Sequence, residues 1–80
     1  MDHNKLPRVM AREIIAVLEK LGFSFSRQSG SHKIYKNLLG KRATVPFHGS
    51  KVLHPKILKR IIDDAEITKE TLNKLLKINP

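Results

Sequence analysis

Residues 27–35 read Arg-Gln-Ser-Gly-Ser-His-Lys-Ile-Tyr, and they place a tight turn directly before a strand. The dipeptide Ser29-Gly30 is typical of a turn, because glycine adopts the positive φ that a sharp reversal of the chain requires. His32 follows this turn, and no carboxylate is close to it in the sequence. A histidine held among positive charges at a strand end is a candidate proton-transfer group for a phosphate substrate.

The periodicity of apolar residues predicts six elements around this turn. Alternation of apolar and polar side chains predicts a strand over about residues 23–28. The turn at Ser29-Gly30 returns the chain into a second strand over about residues 31–37, and a third strand over about residues 42–45 ends before Pro46. Apolar residues at helical spacing predict helices over about residues 9–21, from Pro55 to about Ala65, and over about residues 69–77. The predicted fold is therefore α+β, with the order α-β-β-β-α-α and a three-stranded antiparallel sheet that packs on the helices.

Successive residues of the second strand point to opposite faces of the sheet. Neither set is wholly apolar, so the face that His32 occupies stays open. Tyr35 either stacks on a nucleic-acid base or lies in the core. Phe23, Phe25 and Phe47 are expected in the core, because a chain with so few aromatic residues needs them inside.

The length of 80 residues predicts a single domain, with an irregular extension over residues 1–8 and a folded core over residues 9–76. The absence of cysteine excludes disulfides and thiolate metal sites. A metal site is not expected, because the four histidines lack ligand spacing: His3, His32, His48 and His54. No apolar run is long enough to span a membrane, and no secretory signal is recognisable, so a cytoplasmic location is expected.

The charge distribution indicates a polyanionic partner. The formal net charge is +9, and no aspartate or glutamate occurs between Lys20 and Ile62. Such a segment is typical of a nucleic-acid site, or of a site for an acidic protein that mimics nucleic acid. The alternative is a surface that serves solubility, although such surfaces usually mix both signs of charge.

Several motifs together resemble the HicA toxin family, whose members are small mRNA interferases of toxin–antitoxin pairs. The resemblance covers about residues 11–76 and rests on Leu-Gly-Phe at 21–23, residues 27–32, Thr-Val-Pro at 44–46, His-Gly at 48–49 and the isoleucines at 57, 61 and 62. It implies a fold like the double-stranded RNA-binding domain, a catalytic His32, mRNA as the substrate and a HicB-like antitoxin as the partner. Many members carry a second histidine directly after the first. This chain has Lys33 there, which removes a possible second proton-transfer group.

RNA cleavage without a metal requires a base for the 2′-hydroxyl, cations for the phosphoryl oxygens and an acid for the departing 5′ oxygen. We hypothesise that His32 is the base and that its positive neighbours favour the neutral imidazole. The residues expected to bind RNA phosphates are Arg27, Ser31, Lys33, Lys36, Lys56, Lys59 and Arg60. The last three share one helical face, which by analogy with the double-stranded RNA-binding domain positions RNA, or else is simply solvated.

Two alternatives to this hypothesis remain. A non-catalytic RNA-binding module would use the same sheet and basic helix, whereas a DNA-binding regulator is disfavoured because no helix-turn-helix pattern is evident. His48 and His54 are expected to be ordinary loop histidines. The sequence names neither a cofactor nor the general acid.

Overall fold

The structure is a computed structural model that describes residues 6–48 and 51–78. Its elements are α1 (Ala11–Lys20), β1 (Ser24–Ser29), β2 (His32–Lys36), β3 (Arg42–Pro46), α2 (Pro55–Ala65) and α3 (Lys69–Ile78). The strands form one antiparallel sheet in the order β1-β2-β3. The predicted α+β fold and element order are confirmed, with boundaries that shift by one or two residues. Predicted irregular residues 1–5, loop residues 49–50 and the terminal 79–80 lie outside the described residues.

Each helix begins with a different way of satisfying its free backbone N–H groups. At α1, whose start the sequence left open, the Met10 N–H donates to the Glu13 carboxylate over 2.8 Å. At α2, the Lys56 N–H donates to His54 Nδ1 over 3.0 Å. At α3, the Thr71 N–H donates to the Thr68 hydroxyl over 3.1 Å, which confirms the predicted threonine cap.

The hydrophobic core lies between the three helices and one face of the sheet. Tyr35 of β2 is 4 % exposed and belongs to this core, so its alternative role as a stacking platform is not supported. Side chains from four elements have no exposed surface at all: Ile14 and Leu18 of α1, Val45 of β3, Ile61 of α2 and Leu72 of α3. The helices therefore cover one face of the sheet and leave the opposite face without a helical layer.

The three phenylalanines occupy three different environments. Phe23 is 4 % exposed in the core, as predicted, and Phe47 is half-buried against the core. The prediction for Phe25 is wrong, since 53 % of this residue is exposed. Phe25 lies on the edge strand β1, where every residue is exposed, and its ring meets the Tyr35 ring edge-on at 5.8 Å between centroids.

A β-bulge in β1 changes which residues share a face. Phe25 pairs with Tyr35 and Arg27 pairs with Ile34, so Ser26 is an extra residue in β1. Directly paired residues point to the same side of a sheet. Phe25 therefore points toward the core side with Tyr35, whereas Arg27 points to the opposite side with Ile34.

Tyr35 is expected to give the folding stability a component that depends on alkaline pH. Burial raises the pKa of Tyr35 above its ordinary value, and the negative charge of Glu19 raises it further. The folded state thus holds the phenolic proton more tightly than the unfolded state. This contribution is complete below the unfolded tyrosine pKa of about 10 and is lost as the pH rises through the higher folded value.

The Tyr35→Phe variant tests this component, because it keeps the ring and removes the titrating hydroxyl. We expect the free energy of unfolding of the wild type, measured with denaturant, to fall relative to the variant above pH of about 10. Lysine titration is common to both proteins and cancels in the difference. A difference that stays constant through this range would contradict the prediction.

Candidate functional site

The sheet face opposite the core carries a cleft of about 510 Å³. We call it the open-face cleft, and it is lined by Arg27, Ser29, His32, Ile34, Thr44, Pro46, His48, Ile57 and Arg60. Among the described residues no acidic side chain lines it. The floor comes from the sheet and one wall comes from α2, so the site exists only when these elements pack together.

His32 occupies the first position of β2 and is exposed. It pairs with Ser29 on one side and with Pro46 on the other, directly beside the turn at Gly30. Because alternate residues share a face, His32 points the same way as Ile34 and away from Tyr35. The orientation that the sequence left open is therefore toward the open-face cleft and away from the core.

Two guanidinium groups reach this cleft from different elements. The bulge in β1 places Arg27 beside Ile34 on the open side of the sheet. Arg60 comes from α2, which packs along β3, and lines the same cleft from the opposite wall. Arginine presents planar sets of N–H donors that match the oxygens of a phosphate. The cleft thus brings the imidazole of His32 together with two guanidinium groups whose geometry suits a phosphate.

The floor of the cleft is apolar. Ile34 is 7 % exposed, yet it lies on the side of the sheet that the helices do not cover, between Arg27 on β1 and Thr44 on β3. An apolar floor with a cationic rim can receive a ribose or a base while the rim holds the adjoining phosphates.

Other residues predicted to bind phosphate lie elsewhere. The Lys33 side chain is on the core side of β2, with its Nζ 4.0 Å from the centre of the Phe47 ring, a cation–π contact. Lys56 and Lys59 line a separate groove of about 780 Å³ between α2 and the start of α3. There the Lys59 ammonium pairs with Asp63 over 2.7 Å. The predicted basic face of α2 is thus divided, and Arg60 alone of its three residues reaches the open-face cleft.

Ser31 and Lys36 lie beside the cleft. The Ser31 carbonyl accepts the Phe47 N–H over 2.7 Å and so fastens the turn that carries His32. Lys36 lies further along the open side of the sheet, in a neighbouring cavity of about 670 Å³ that Arg60 also lines. The positive surface therefore continues past Arg60 toward the far end of β2.

The two histidines expected in loops have distinct places. His54 caps α2 through its Nδ1 atom, which gives it a structural role that the sequence did not reveal. His48 is exposed just beyond β3 and lines the open-face cleft together with His32. Side-chain direction alternates along β3, and the same alternation continued two residues past Pro46 could have placed His48 on the face that Pro46 occupies.

Within residues 6–48 and 51–78 there is neither a cluster of metal-ligating side chains nor a membrane-spanning helix. No three histidine, aspartate or glutamate side chains in these ranges converge in an arrangement that could hold a metal ion. No helix in the same ranges is long and apolar enough to cross a bilayer.

The open-face cleft lies entirely within a segment that matches a known protein family. Residues 11–67 match a family model described as the HicA toxin of bacterial toxin–antitoxin systems. No curated protein matches the chain. The matched segment contains α1, the complete sheet, α2 and every residue that lines the open-face cleft, and it ends before α3.

Proposed function

Because the chain belongs to the HicA toxin family, we propose that it is an endoribonuclease toxin that inhibits translation by cleaving mRNA in the cytoplasm. The observation that carries this proposal is the position of His32, exposed on a basic cleft between Arg27 and Arg60. In this arrangement a proton-transfer group lies beside cations that can hold the phosphate to be cleaved.

The charge of the open side of the sheet supports RNA as the substrate. Cationic side chains without interspersed carboxylates, as in the open-face cleft, bind phosphates with little regard to base sequence. We assign the phosphate contacts in the cleft to Arg27 and Arg60, and Lys36 extends them along the sheet. Lys33, Lys56 and Lys59 lie away from the cleft, and Ser31 contributes through the turn that holds His32.

The proposed reaction uses the 2′-hydroxyl of RNA as the internal nucleophile. His32 accepts the 2′-hydroxyl proton as O2′ attacks the adjacent phosphorus. Arg27 and Arg60 stabilise the negative charge that develops on the phosphoryl oxygens. The bond between phosphorus and O5′ then breaks and O5′ takes up a proton from a general acid, which leaves a 2′,3′-cyclic phosphate on one product and a 5′-hydroxyl on the other. The proposed chemistry needs no metal ion, because an imidazole supplies the base and the two guanidinium groups supply the cations.

A toxin of this family pairs with an antitoxin, and we propose a HicB-like protein for that role. The net charge of +9 favours a partner with an acidic surface. An acidic partner that covers the open-face cleft would displace RNA and shield His32 at the same time.

The test is RNA cleavage by the purified protein in the presence of a metal chelator. We expect products with cyclic phosphate ends, and no cleavage of a matched RNA with 2′-deoxyribose at the cleaved position. Addition of the HicB-like antitoxin is expected to stop the reaction. Tight, salt-sensitive RNA binding without any cleavage would instead identify a non-catalytic RNA-binding module, and loss of activity with the chelator would contradict metal independence.

A further inference from the structure

The open-face cleft contains a second histidine that the reaction described above leaves without a role. His32 pairs with Pro46, and the Phe47 N–H donates to the Ser31 carbonyl over 2.7 Å. The antiparallel pairing therefore continues beyond the last residue of β3, and its alternation of side chains continues with it.

This continued pairing determines on which face of the sheet the His48 side chain lies. Phe47 packs against the core side of the sheet and contacts Lys33 there. His48 follows it and lines the cleft on the open side. It is thus the diagonal neighbour of His32, and such neighbours are about 7–8 Å apart in antiparallel sheets. Both imidazoles therefore line one cleft, in which a bound phosphodiester lies within reach of each.

The chemistry of the other lining residues leaves His48 as the candidate acid. The departing O5′ requires a proton, and the group that supplies it must exchange protons near neutral pH. Arginine stays protonated under all physiological conditions, so Arg27 and Arg60 cannot serve as proton donors. Apart from His32, His48 is the only cleft residue among those described whose side chain ordinarily titrates in this range.

We propose that His48 is the general acid of the cleavage reaction, an assignment that rests on the proposed function. Protonated His48 gives its proton to O5′ as the bond between phosphorus and O5′ breaks. His32 holds the proton taken from the 2′-hydroxyl, so the number of protons on the two histidines together is unchanged. Exchange with water then returns each imidazole to its starting form.

The test uses two RNA substrates that differ only in the atom that leaves. In the second RNA, sulfur replaces the bridging O5′ at the cleaved position, and a thiolate departs without being protonated. We expect His48→Ala to lower cleavage of ordinary RNA by about 10²–10⁴-fold. The same variant should cleave the sulfur-substituted RNA at close to the wild-type rate, whereas His32→Ala should remain defective on both.

A matched control is His54→Asn, which removes a histidine outside the cleft and keeps a residue that can cap α2. It should cleave both substrates like the wild type. Circular dichroism establishes that each variant is folded. The assignment is overturned if His48→Ala cleaves ordinary RNA at the wild-type rate, or if it is slowed equally on both substrates. If the wild type cleaves neither RNA, the proposed function itself is wrong and the assignment falls with it.

Discussion

Replacing His32 by alanine is expected to lower the rate of RNA cleavage by about 10²–10⁴-fold, the usual contribution of a positioned general base. The side chain is exposed at the start of β2, so its removal creates no cavity and leaves the core intact. Affinity for RNA should change little, because the variant retains the phosphate contacts that we propose for Arg27 and Arg60. Single-turnover cleavage measures the first quantity, and fluorescence anisotropy with a 2′-deoxy RNA analogue measures the second.

The two measurements together separate catalysis from binding. Cleavage at the wild-type rate by His32→Ala would remove His32 from the mechanism. A parallel loss of cleavage and of affinity would assign His32 to phosphate binding instead. Thermal unfolding of the variant close to that of the wild type establishes that neither result comes from a damaged fold.

Most of the architecture could be predicted from local patterns in the chain. Residues 23–26 alternate apolar and polar side chains, and Gly30 marks the turn into β2, because its φ of 58° lies in the left-handed region that glycine favours. Helical spacing of apolar residues located all three helices to within a few positions. These signals are local, since each depends on residues within one or two turns of the chain.

No local pattern in the sequence indicates the bulge at Ser26. Strict alternation places Phe25 and Arg27 on the same face of β1, but the extra residue sends them to opposite faces. The register of β1 depends on its pairing with β2, which a single strand does not encode. The sequence grouped Arg27 with His32 by proximity along the chain, but the face on which Arg27 lies follows from the bulge. Phe25 turns toward the core side and is still exposed, because β1 is an edge strand.

Distance along the chain from His32 was a poor guide to which residues line the open-face cleft. The turn motif identified His32 itself, but proximity in sequence also grouped Lys33 with it, although adjacent strand residues point to opposite faces. Arg60 joins the cleft only because α2 packs along β3, a contact between distant segments. His48 joins it because the pairing of β3 continues past Pro46.

The match to the HicA family model ends at Ile67, and α3 lies beyond it, so the match does not show whether α3 belongs to the same folded unit. Leu72 of α3 nevertheless has no exposed surface. On the neighbouring turn, the Leu75 carbonyl accepts a hydrogen bond from the Lys20 ammonium of α1 over 3.3 Å. α3 is thus packed on α1, which in turn supports the core side of the sheet that carries the cleft.

We therefore expect Leu72→Ala to lower the free energy of unfolding by about 2–5 kcal/mol, through lost burial and the cavity left behind. That loss is a large share of the total stability of about 5–15 kcal/mol that is usual for a small domain. Leu38→Ala is the matched control, since Leu38 is fully exposed in the β2–β3 turn, and its effect should stay within about 0.5 kcal/mol. Denaturant unfolding of both variants measures the difference. Equal stabilities would show that α3 is an appendage, and a large difference would make it part of the folded unit that holds His32 in place.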